Sequence, residues 1–342
     1  MRSYHAPNPY ENNSITGLYF IDSFLQGVAS IPNVLFGSSS SSLILPAQNR
    51  KLESKFAAEE KEYKEYNLKK INIITHDNAE LDSIEVTSKL DKELLPSNKI
   101  YIIKFNGNGA LYEYQVDSYI RDTKKLKCSV VGFNYRGVGE SKGDPMSKSS
   151  LVIDGIAEVQ RILDKGILPK NIVLDGVSLG GAVATLVAKH FHGKGFKINL
   201  FNDRSFSSIS STAVNMILRE DSVISRSCKS CASSTLFVSD WEMNAAAAYK
   251  TIPAAHKGYM FVIEKNKAYP QNQGDGVIPH KSSLHVAVAK TEGQGDKVWP
   301  MLTSSACFFG GHNAHRVNLI SKDNPEKTGQ DVFEEFVLRV TR

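Results

Sequence analysis

From about residue 68 onward, short and uninterrupted apolar runs alternate with helical patterns along this chain. Uninterrupted runs of three to six residues predict strands of a parallel sheet that is covered on both faces. Strands that alternate with helices in this way predict a doubly wound, mostly parallel α/β sheet. The predicted strands are 71–75 and 83–87, joined as a hairpin, then 100–105, 129–134, 172–174, 198–201, 259–264 and 305–309, and the clearest helical patterns are 153–163, 181–191 and 327–340.

The composition divides the chain into an N-terminal extension, residues 1–67, and a sheet domain, residues 68–342. The extension contains an apolar run at 15–36, a five-serine tract at 38–42 and a charged stretch rich in helix formers at 51–66. Polar residues and a proline interrupt the apolar run, so it is a poor membrane span. We expect an amphipathic helix that packs on the sheet domain; the alternative is a peripheral contact with a membrane surface. The polar start lacks a signal-peptide pattern, so we expect a cytoplasmic or peripheral membrane location.

Charge and motif content narrow the function classes. The formal net charge is +5, without basic runs interleaved with aromatics, so we expect no nucleic-acid partner. Cys228 and Cys231 form one C-x-x-C without a second pair or histidine partners, and we interpret it as ordinary loop chemistry. His312 and His315 lack the acidic residues that would complete a metal site, and no glycine-rich loop fits a nucleotide motif. We therefore expect neither a metal nor a cofactor.

A G-x-S-x-G motif at 176–180 marks a candidate nucleophile, Ser178. The motif follows a predicted strand and precedes a helix of small residues. A sharp strand-to-helix turn needs glycines beside the serine because a Cβ there would clash. Such a turn exposes the serine hydroxyl and directs the helix N-terminus toward a developing oxyanion. The alternative is a glycine-rich helix start with an incidental serine.

Four further segments matter for the interpretation of the serine motif, both by their residues and by their order along the chain. They are FNGNGALYEY at 105–114, FNYRGVGESKGDP at 133–145, NDRSFSSI at 202–209 and GGHN at 310–313. Together with the serine motif, they resemble the alpha/beta-hydrolase superfamily over roughly residues 68–342. The nearest likeness within it is the branch of lysophospholipid hydrolases and protein depalmitoylases. The resemblance implies the alpha/beta-hydrolase fold and a catalytic triad in the order Ser, Asp, His.

The resemblance also suggests the partners of Ser178. His312 follows the last predicted strand, where this fold carries its general base, and His315 is the nearest rival. Asp275, within GDGVIP, matches the position of the acid that orients the imidazole. About ten residues separate Asp275 from the preceding predicted strand, so Glu264 at the end of that strand remains an alternative acid. We interpret three other aspartates as structural: Asp175, Asp203 and Asp240.

The fold builds its oxyanion hole from two backbone N–H groups. The resemblance assigns one to Leu179, directly after the nucleophile, and the other to Asn108, after Gly107. Asn106 replaces the histidine that usually stands in this loop, a change that leaves backbone donors intact. A tight turn without catalytic meaning is the alternative for this N-G-N-G stretch.

These observations predict a serine hydrolase that cleaves a carboxylic ester or thioester through an acyl-enzyme. The expected substrate is a small ester, a lipid or an acylated protein. The insertion at about 204–235 is short and rich in serine and cysteine, which predicts a short cap rather than a large apolar lid. Two alternatives are a non-catalytic binding protein that retains the fold and a serine peptidase. The N-terminal extension would also suit a secreted bacterial effector.

Overall fold

The structure is a computed structural model that describes residues 3–8, 65–89, 94–217, 234, 240–263, 275, 277–292, 298–303 and 310–342. The predicted apolar helix, the five-serine tract and nearly all of the charged stretch lie outside the described residues. The same is true of the C-x-x-C motif, of Glu264 and of the strand predicted at 305–309.

Within the described residues, one mixed sheet of ten strands forms the centre of the molecule. Its order is β1-β2-β3-β5-β4-β6-β7-β8-β9-β10. The pairs β1/β2 and β5/β4, and every neighbouring pair from β4 to β9, are parallel, whereas β2/β3, β3/β5 and β9/β10 are antiparallel. The strands are β1 Ser3–His5, β2 Tyr66–Ile74, β3 Glu80–Ser88, β4 Tyr101–Phe105, β5 Ser129–Phe133, β6 Ile172–Val177, β7 Asn199–Asp203, β8 Lys257–Val262, β9 Val298–Thr303 and β10 Leu319–Ser321.

Helices cover both faces of the sheet because successive strand residues point to opposite sides. On one face, Ile103 and Leu174 pack in a core shared with α2, α3, α5 and α6. On the other face, Ile102 and Val173 pack against α1 and α8. The described helices are α1 Val116–Leu126, α2 Lys148–Asp164, α3 Leu179–Gly193, α4 Ile209–Ile217, α5 Ala245–Thr251, α6 Leu284–Glu292, α7 Gly310–Asn313 and α8 Gly329–Thr341.

The aromatic side chains of α8 show how strongly these layers are joined. Phe333 and Phe336 are fully buried and contact Phe201 on β7 with ring centroids 5.2 Å apart in each case. Burying each such side chain contributes about 1.5–3 kcal/mol. The C-terminal helix is therefore an integral layer of the domain.

The predicted fold class is confirmed, with a hairpin that leads into a doubly wound, mostly parallel sheet. Three short or irregular strands were not predicted: β1, β9 and β10. Pro300 interrupts the apolar residues of β9 and β10 is only three residues long, so neither shows the uninterrupted apolar run on which the prediction depends. β1 lies in the predicted extension yet pairs with residues 72–74 of β2. The division at residue 67/68 stays a prediction.

Candidate active site

Ser178 lies at a sharp turn between β6 and α3. Its backbone has φ 55°, outside the regions that non-glycine residues usually adopt. A Cβ on Gly176 would lie 2.4 Å from the carbonyl oxygen of Gly180, and a Cβ on Gly180 would lie 2.1 Å from that of Phe105. Both positions therefore require glycine, and the G-x-S-x-G motif has a steric cause.

The structure brings His312 and Asp275 together with Ser178. His312 Nε2 lies 3.0 Å from Ser178 Oγ. His312 Nδ1 lies 2.6 Å from Asp275 Oδ2. Both partners are largely buried, with 9% of His312 and 6% of Asp275 exposed, so water competes little for these hydrogen bonds. One imidazole thus connects a hydroxyl and a carboxylate, the arrangement in which a histidine can take a proton from a serine.

Backbone groups fix the orientation of Asp275. Its Oδ1 accepts hydrogen bonds from the N–H groups of Val277 at 3.1 Å and Ile278 at 2.8 Å. The backbone N–H of His312 donates to the Asp275 carbonyl at 2.8 Å. Oδ2 therefore remains directed at the imidazole. The rival base, His315, is exposed at the start of a short 3₁₀ turn and lines the same cavity.

The loop that follows β4 lies directly against Ser178. A Cβ on Gly107 would meet the Val177 carbonyl oxygen at 3.3 Å and Ser178 Cβ at 3.6 Å. Asn106 holds this loop, because its Nδ2 donates to the Phe133 carbonyl at 2.9 Å and its Oδ1 accepts from Gln115 Nε2 at 2.9 Å. Asn106, at the position where the resemblance expects histidine, therefore holds the loop in place against Ser178.

Asn108 follows Gly107 and Leu179 follows Ser178, so the two predicted oxyanion donors come directly after the two residues that approach each other here. Asn108 is exposed within a turn that is closed by a 3.2 Å hydrogen bond from the Ala110 N–H to the Gly107 carbonyl. Leu179 is the first residue of α3, and the first N–H groups of a helix have no intrahelical acceptor. Both residues line the cavity that contains Ser178. Their assignment as oxyanion donors stays a proposal.

A cavity of about 740 Å³ surrounds Ser178 and His312. The β7–α4 connection, α4 and the segment after Asp275 contribute mainly apolar side chains to its lining, whereas the β4–α1 connection, α1 and the segment after His312 contribute mainly polar ones. The apolar group is Phe206, Ile209, Ala213, Val277 and Ile278, and the polar group includes Gln115, Ser118, Arg121, His315 and Arg316. The cavity can therefore hold a molecule with an apolar and a polar part.

A buried network of ion pairs lies beneath the site. Lys104 Nζ contacts Asp122 at 2.6 Å and Asp175 at 2.7 Å. Arg316 connects Asp175, at 2.6 Å, to Asp203, at 2.8 Å. Asp203 also pairs with Arg204, so that three carboxylates and three cations alternate across β4, β6 and β7. The expectation that Asp175 and Asp203 are structural agrees with these contacts, and Asp240 pairs with Lys148 at 2.6 Å.

The cations of the network keep two of its carboxylates ionised, those of Asp175 and Asp203. Burial raises the pKa of Asp175, but the charges of Arg316 and Lys104 outweigh it and hold that pKa below the ordinary value. Burial likewise raises the pKa of Asp203, and Arg204 and Arg316 together lower it below the usual range. Breaking one member of such a buried set leaves its partner uncompensated, which is costly even where the intact set adds little stability.

Three cations of the site, Arg204, Arg316 and Lys104, were not predicted from the sequence. The only signal was position, since Arg204 directly follows β7 and Arg316 follows His312 by four residues. In the portion of the chain that the structure describes, no group of three or more His, Cys, Asp or Glu residues is arranged to hold a metal. No described helix is both long enough and apolar enough to cross a bilayer.

A doubly wound sheet with a glycine-flanked serine at the β6–α3 turn, a histidine after β9 and a carboxylate after β8 defines the alpha/beta-hydrolase fold. An alpha-beta hydrolase from Vibrio vulnificus has the same fold, with a TM-score of 0.57 and 18% identity over 81% of this chain and 88% of that one. The family described as Chlamydia CHLPS protein (DUF818) matches residues 38–299. The chain belongs to this family.

Shorter parts of the chain are similar to curated proteins. A segment of 116 residues is 32% identical to the multifunctional-autoprocessing repeats-in-toxin of Vibrio cholerae, and covers 33% of this chain but 2% of the toxin. Another match, of 170 residues, is 29% identical to protein bem46 of Schizosaccharomyces pombe and covers 48% of this chain and 54% of that protein. The chain thus spans a very small part of the toxin and about half of protein bem46.

Proposed function

We propose that the protein is a serine hydrolase that cleaves a carboxylic ester or thioester through an acyl-enzyme, with Ser178 as nucleophile, His312 as general base and Asp275 as the orienting acid. The observation that carries this proposal is the continuous pair of contacts from Ser178 Oγ to His312 Nε2, 3.0 Å, and from His312 Nδ1 to Asp275 Oδ2, 2.6 Å. The cavity beside Ser178 gives a substrate access to the hydroxyl.

In the proposed acylation step, Ser178 Oγ attacks the carbonyl carbon while its proton passes to His312 Nε2. Asp275 stabilises the imidazolium that forms and keeps the other proton on Nδ1. Collapse of the tetrahedral intermediate breaks the bond to the alcohol or thiol, which leaves with the proton from Nε2. Water then repeats the sequence on the acyl-enzyme, releases the carboxylic acid and regenerates Ser178.

The N–H groups of Asn108 and Leu179 are the proposed donors to the oxyanion. Leu179 is the first residue of a fifteen-residue helix, so the helix dipole also favours negative charge at this point. Removing one such donor typically costs about 10²–10³-fold in kcat. Both donors belong to the backbone. Replacement of the Asn108 side chain should therefore have a much smaller effect than a change that moves the Asn108 N–H.

The lining of the cavity supports an amphiphilic substrate, a lipid or an acylated protein, more than a small polar ester. The apolar group of lining residues, which includes Phe206 and Ile209, suits an acyl chain. The polar group, which includes Gln115 and Arg121, suits a headgroup or peptide. We therefore propose that esters with an acyl chain of several carbons are cleaved faster than acetate esters.

Labelling with a fluorophosphonate probe tests the nucleophile. Wild type should be labelled and should hydrolyse a nitrophenyl ester, whereas Ser178→Ala should do neither. Ser118→Ala is a matched control, because Ser118 lines the same cavity while its hydroxyl donates to the Gln115 carbonyl at 2.7 Å. Equal labelling of Ser178→Ala and wild type would remove Ser178 as nucleophile. An unlabelled wild type without activity on esters, thioesters or peptides would favour a non-catalytic binding protein.

We also propose that the protein acts as a secreted bacterial effector. This proposal is supported by the similarity of one third of the chain to a segment of a protein named as a toxin. Expression inside a eukaryotic host cell should then reduce growth in a manner that depends on Ser178. Equal growth with the wild type and with Ser178→Ala, at matched protein levels, would contradict the proposal.

A further inference from the structure

We propose that Arg204 is a positioning residue, which holds the backbone that carries His312 at the correct distance from Ser178. This inference rests on the proposed function, because it assigns Arg204 a role through His312. Arg204 itself makes none of the proton transfers described above. Its proposed contribution is to fix where the imidazole stands.

The guanidinium of Arg204 binds the end of the helix α7, which carries His312. Its Nη1 lies 2.9 Å from the Gly311 carbonyl oxygen, 2.9 Å from that of His312 and 2.7 Å from that of Ala314. The last carbonyls of a helix have no intrahelical partners, and α7 is only four residues long. Arg204 thus satisfies carbonyl groups that the helix cannot satisfy itself, directly around the proposed base.

The opposite edge of the same guanidinium is held by Asp203. Nε donates to Asp203 Oδ1 at 2.7 Å and Nη2 donates to Oδ2 at 3.0 Å. Arg316 Nε donates to Oδ2 as well, at 2.8 Å, which fixes the carboxylate from a second side. The Arg204 guanidinium is therefore held on both edges, by the Asp203 carboxylate at the end of β7 and by the carbonyl groups at the end of α7.

Backbone hydrogen bonds of Asp203 and Arg204 connect this pair of residues to Ser178 and to β8. The Ser178 N–H donates to the Asp203 carbonyl at 2.9 Å, and the Arg204 N–H donates to the Met260 carbonyl at 2.8 Å. Arg204 has φ 51°, a left-handed conformation that a side chain with a Cβ adopts rarely. The dipeptide Asp203–Arg204 therefore binds Ser178 through the Asp203 backbone, and it binds α7 through the Arg204 side chain.

Lysine cannot reproduce this geometry. The ammonium is a compact charge, whereas the planar guanidinium presents donors on two edges at once. Arg204 is only 5% exposed, so water cannot easily replace the lost contacts. In Arg204→Lys the helix α7 should lose part of its restraint, and a displacement of about 1 Å between catalytic groups can cost about 100-fold in rate.

The test compares Arg204→Lys with Arg161→Lys. Arg161 is also buried and also pairs with two carboxylates, Glu85 and Glu158, but it does not line the active-site cavity. We expect Arg204→Lys to lower kcat on a nitrophenyl ester by about 10- to 100-fold with little change in KM. Arg161→Lys should lower the melting temperature while kcat stays within about twofold of wild type. Arg204→Gln, which retains N–H donors without the charge, is the second variant if the lysine variant does not fold.

A spectroscopic measurement separates positioning from stability. The proton between His312 Nδ1 and Asp275 Oδ2 should give a far-downfield resonance, assigned by its loss in Asp275→Asn. In folded Arg204→Lys or Arg204→Gln this resonance should shift or broaden, while in Arg161→Lys it should be unchanged. If a folded Arg204 variant retains the resonance and wild-type kcat, the positioning role is refuted. If Ser178→Ala is also active, the proposed function fails instead.

Discussion

The replacement of Asp275 by asparagine is the most informative single change, because the hydrogen bonds around Asp275 determine which atom of the new amide faces His312. Oδ1 accepts hydrogen bonds from two backbone N–H groups, those of Val277 and Ile278. An amide oxygen can accept these bonds and an amide NH₂ cannot, so the NH₂ of the new side chain must take the place of Oδ2. It then donates to His312 Nδ1 across the 2.6 Å contact.

The consequence is the wrong imidazole tautomer. With Nδ1 accepting a hydrogen bond, the proton of neutral His312 lies on Nε2, 3.0 Å from Ser178 Oγ. That nitrogen can no longer accept the serine proton, and the same tautomer change in a serine protease lowers kcat by about 10⁴-fold. We expect a similar loss here, which corresponds to about 5.4 kcal/mol of transition-state stabilisation. The fold should persist, since every hydrogen bond of Oδ1 is retained.

The assay is steady-state hydrolysis of a nitrophenyl ester, together with the rate of fluorophosphonate labelling. Asp240→Asn is the matched control. Asp240 pairs with Lys148 outside the cavity, and at its φ of 53° asparagine is well tolerated. Its kcat should remain near that of wild type. If Asp275→Asn keeps more than about a tenth of wild-type kcat, the tautomer argument is wrong, and Glu264→Gln becomes the next variant to measure.

Three further predictions concern stability. Gly180→Ala should destabilise the fold by about 3 kcal/mol or more, because its Cβ would lie 2.1 Å from a backbone oxygen, whereas Gly193→Ala, with open space around it, should change the melting temperature little; equal melting temperatures would contradict the steric argument. Burial, reinforced by the charge of His280, lowers the pKa of His285 to about 3, so the unfolded chain binds the extra proton first and stability should fall as pH decreases from about 6.5 toward about 3. His285→Phe, which keeps a flat ring beside Phe261, should flatten this dependence in melting curves, and an unchanged slope would refute it. Deletion of residues 1–45 removes β1 and the predicted amphipathic helix and should lower the melting temperature; unchanged melting with lost liposome binding would instead indicate a membrane contact.

The central strands were predictable from sequence because each is buried on both faces. The predicted runs at 129–134 and 172–174 correspond to β5 and β6, although β6 extends to Val177. Edge strands lack that signal. β1 has only three residues and pairs with residues about seventy positions further along the chain, which a local pattern does not reveal.

The site was predictable only in part, for a related reason. Ser178 lies between Gly176 and Gly180, which its turn requires, and that requirement is visible in the sequence. His312 was predicted from the resemblance of its GGHN segment and from its position after the last predicted strand. Arg204 and Arg316 carry no such mark. Their importance depends on which groups the folded chain places opposite them. Arg204 binds the Ala314 carbonyl and Arg316 binds Asp175, and each of these partners is more than one hundred residues away.

The two outermost strands of the sheet have a consequence for the behaviour of the protein in concentrated solution. Within the described residues, β1 and β10 form the edges, and each is three residues long. A short edge offers few unpaired N–H and C=O groups to a strand from another molecule, whereas a long edge invites intermolecular pairing and aggregation. β1 also covers residues 72–74 of β2, a strand of nine residues. A chain that lacks β1 would expose this longer edge. It should therefore form β-rich aggregates at protein concentrations at which the full chain stays in solution.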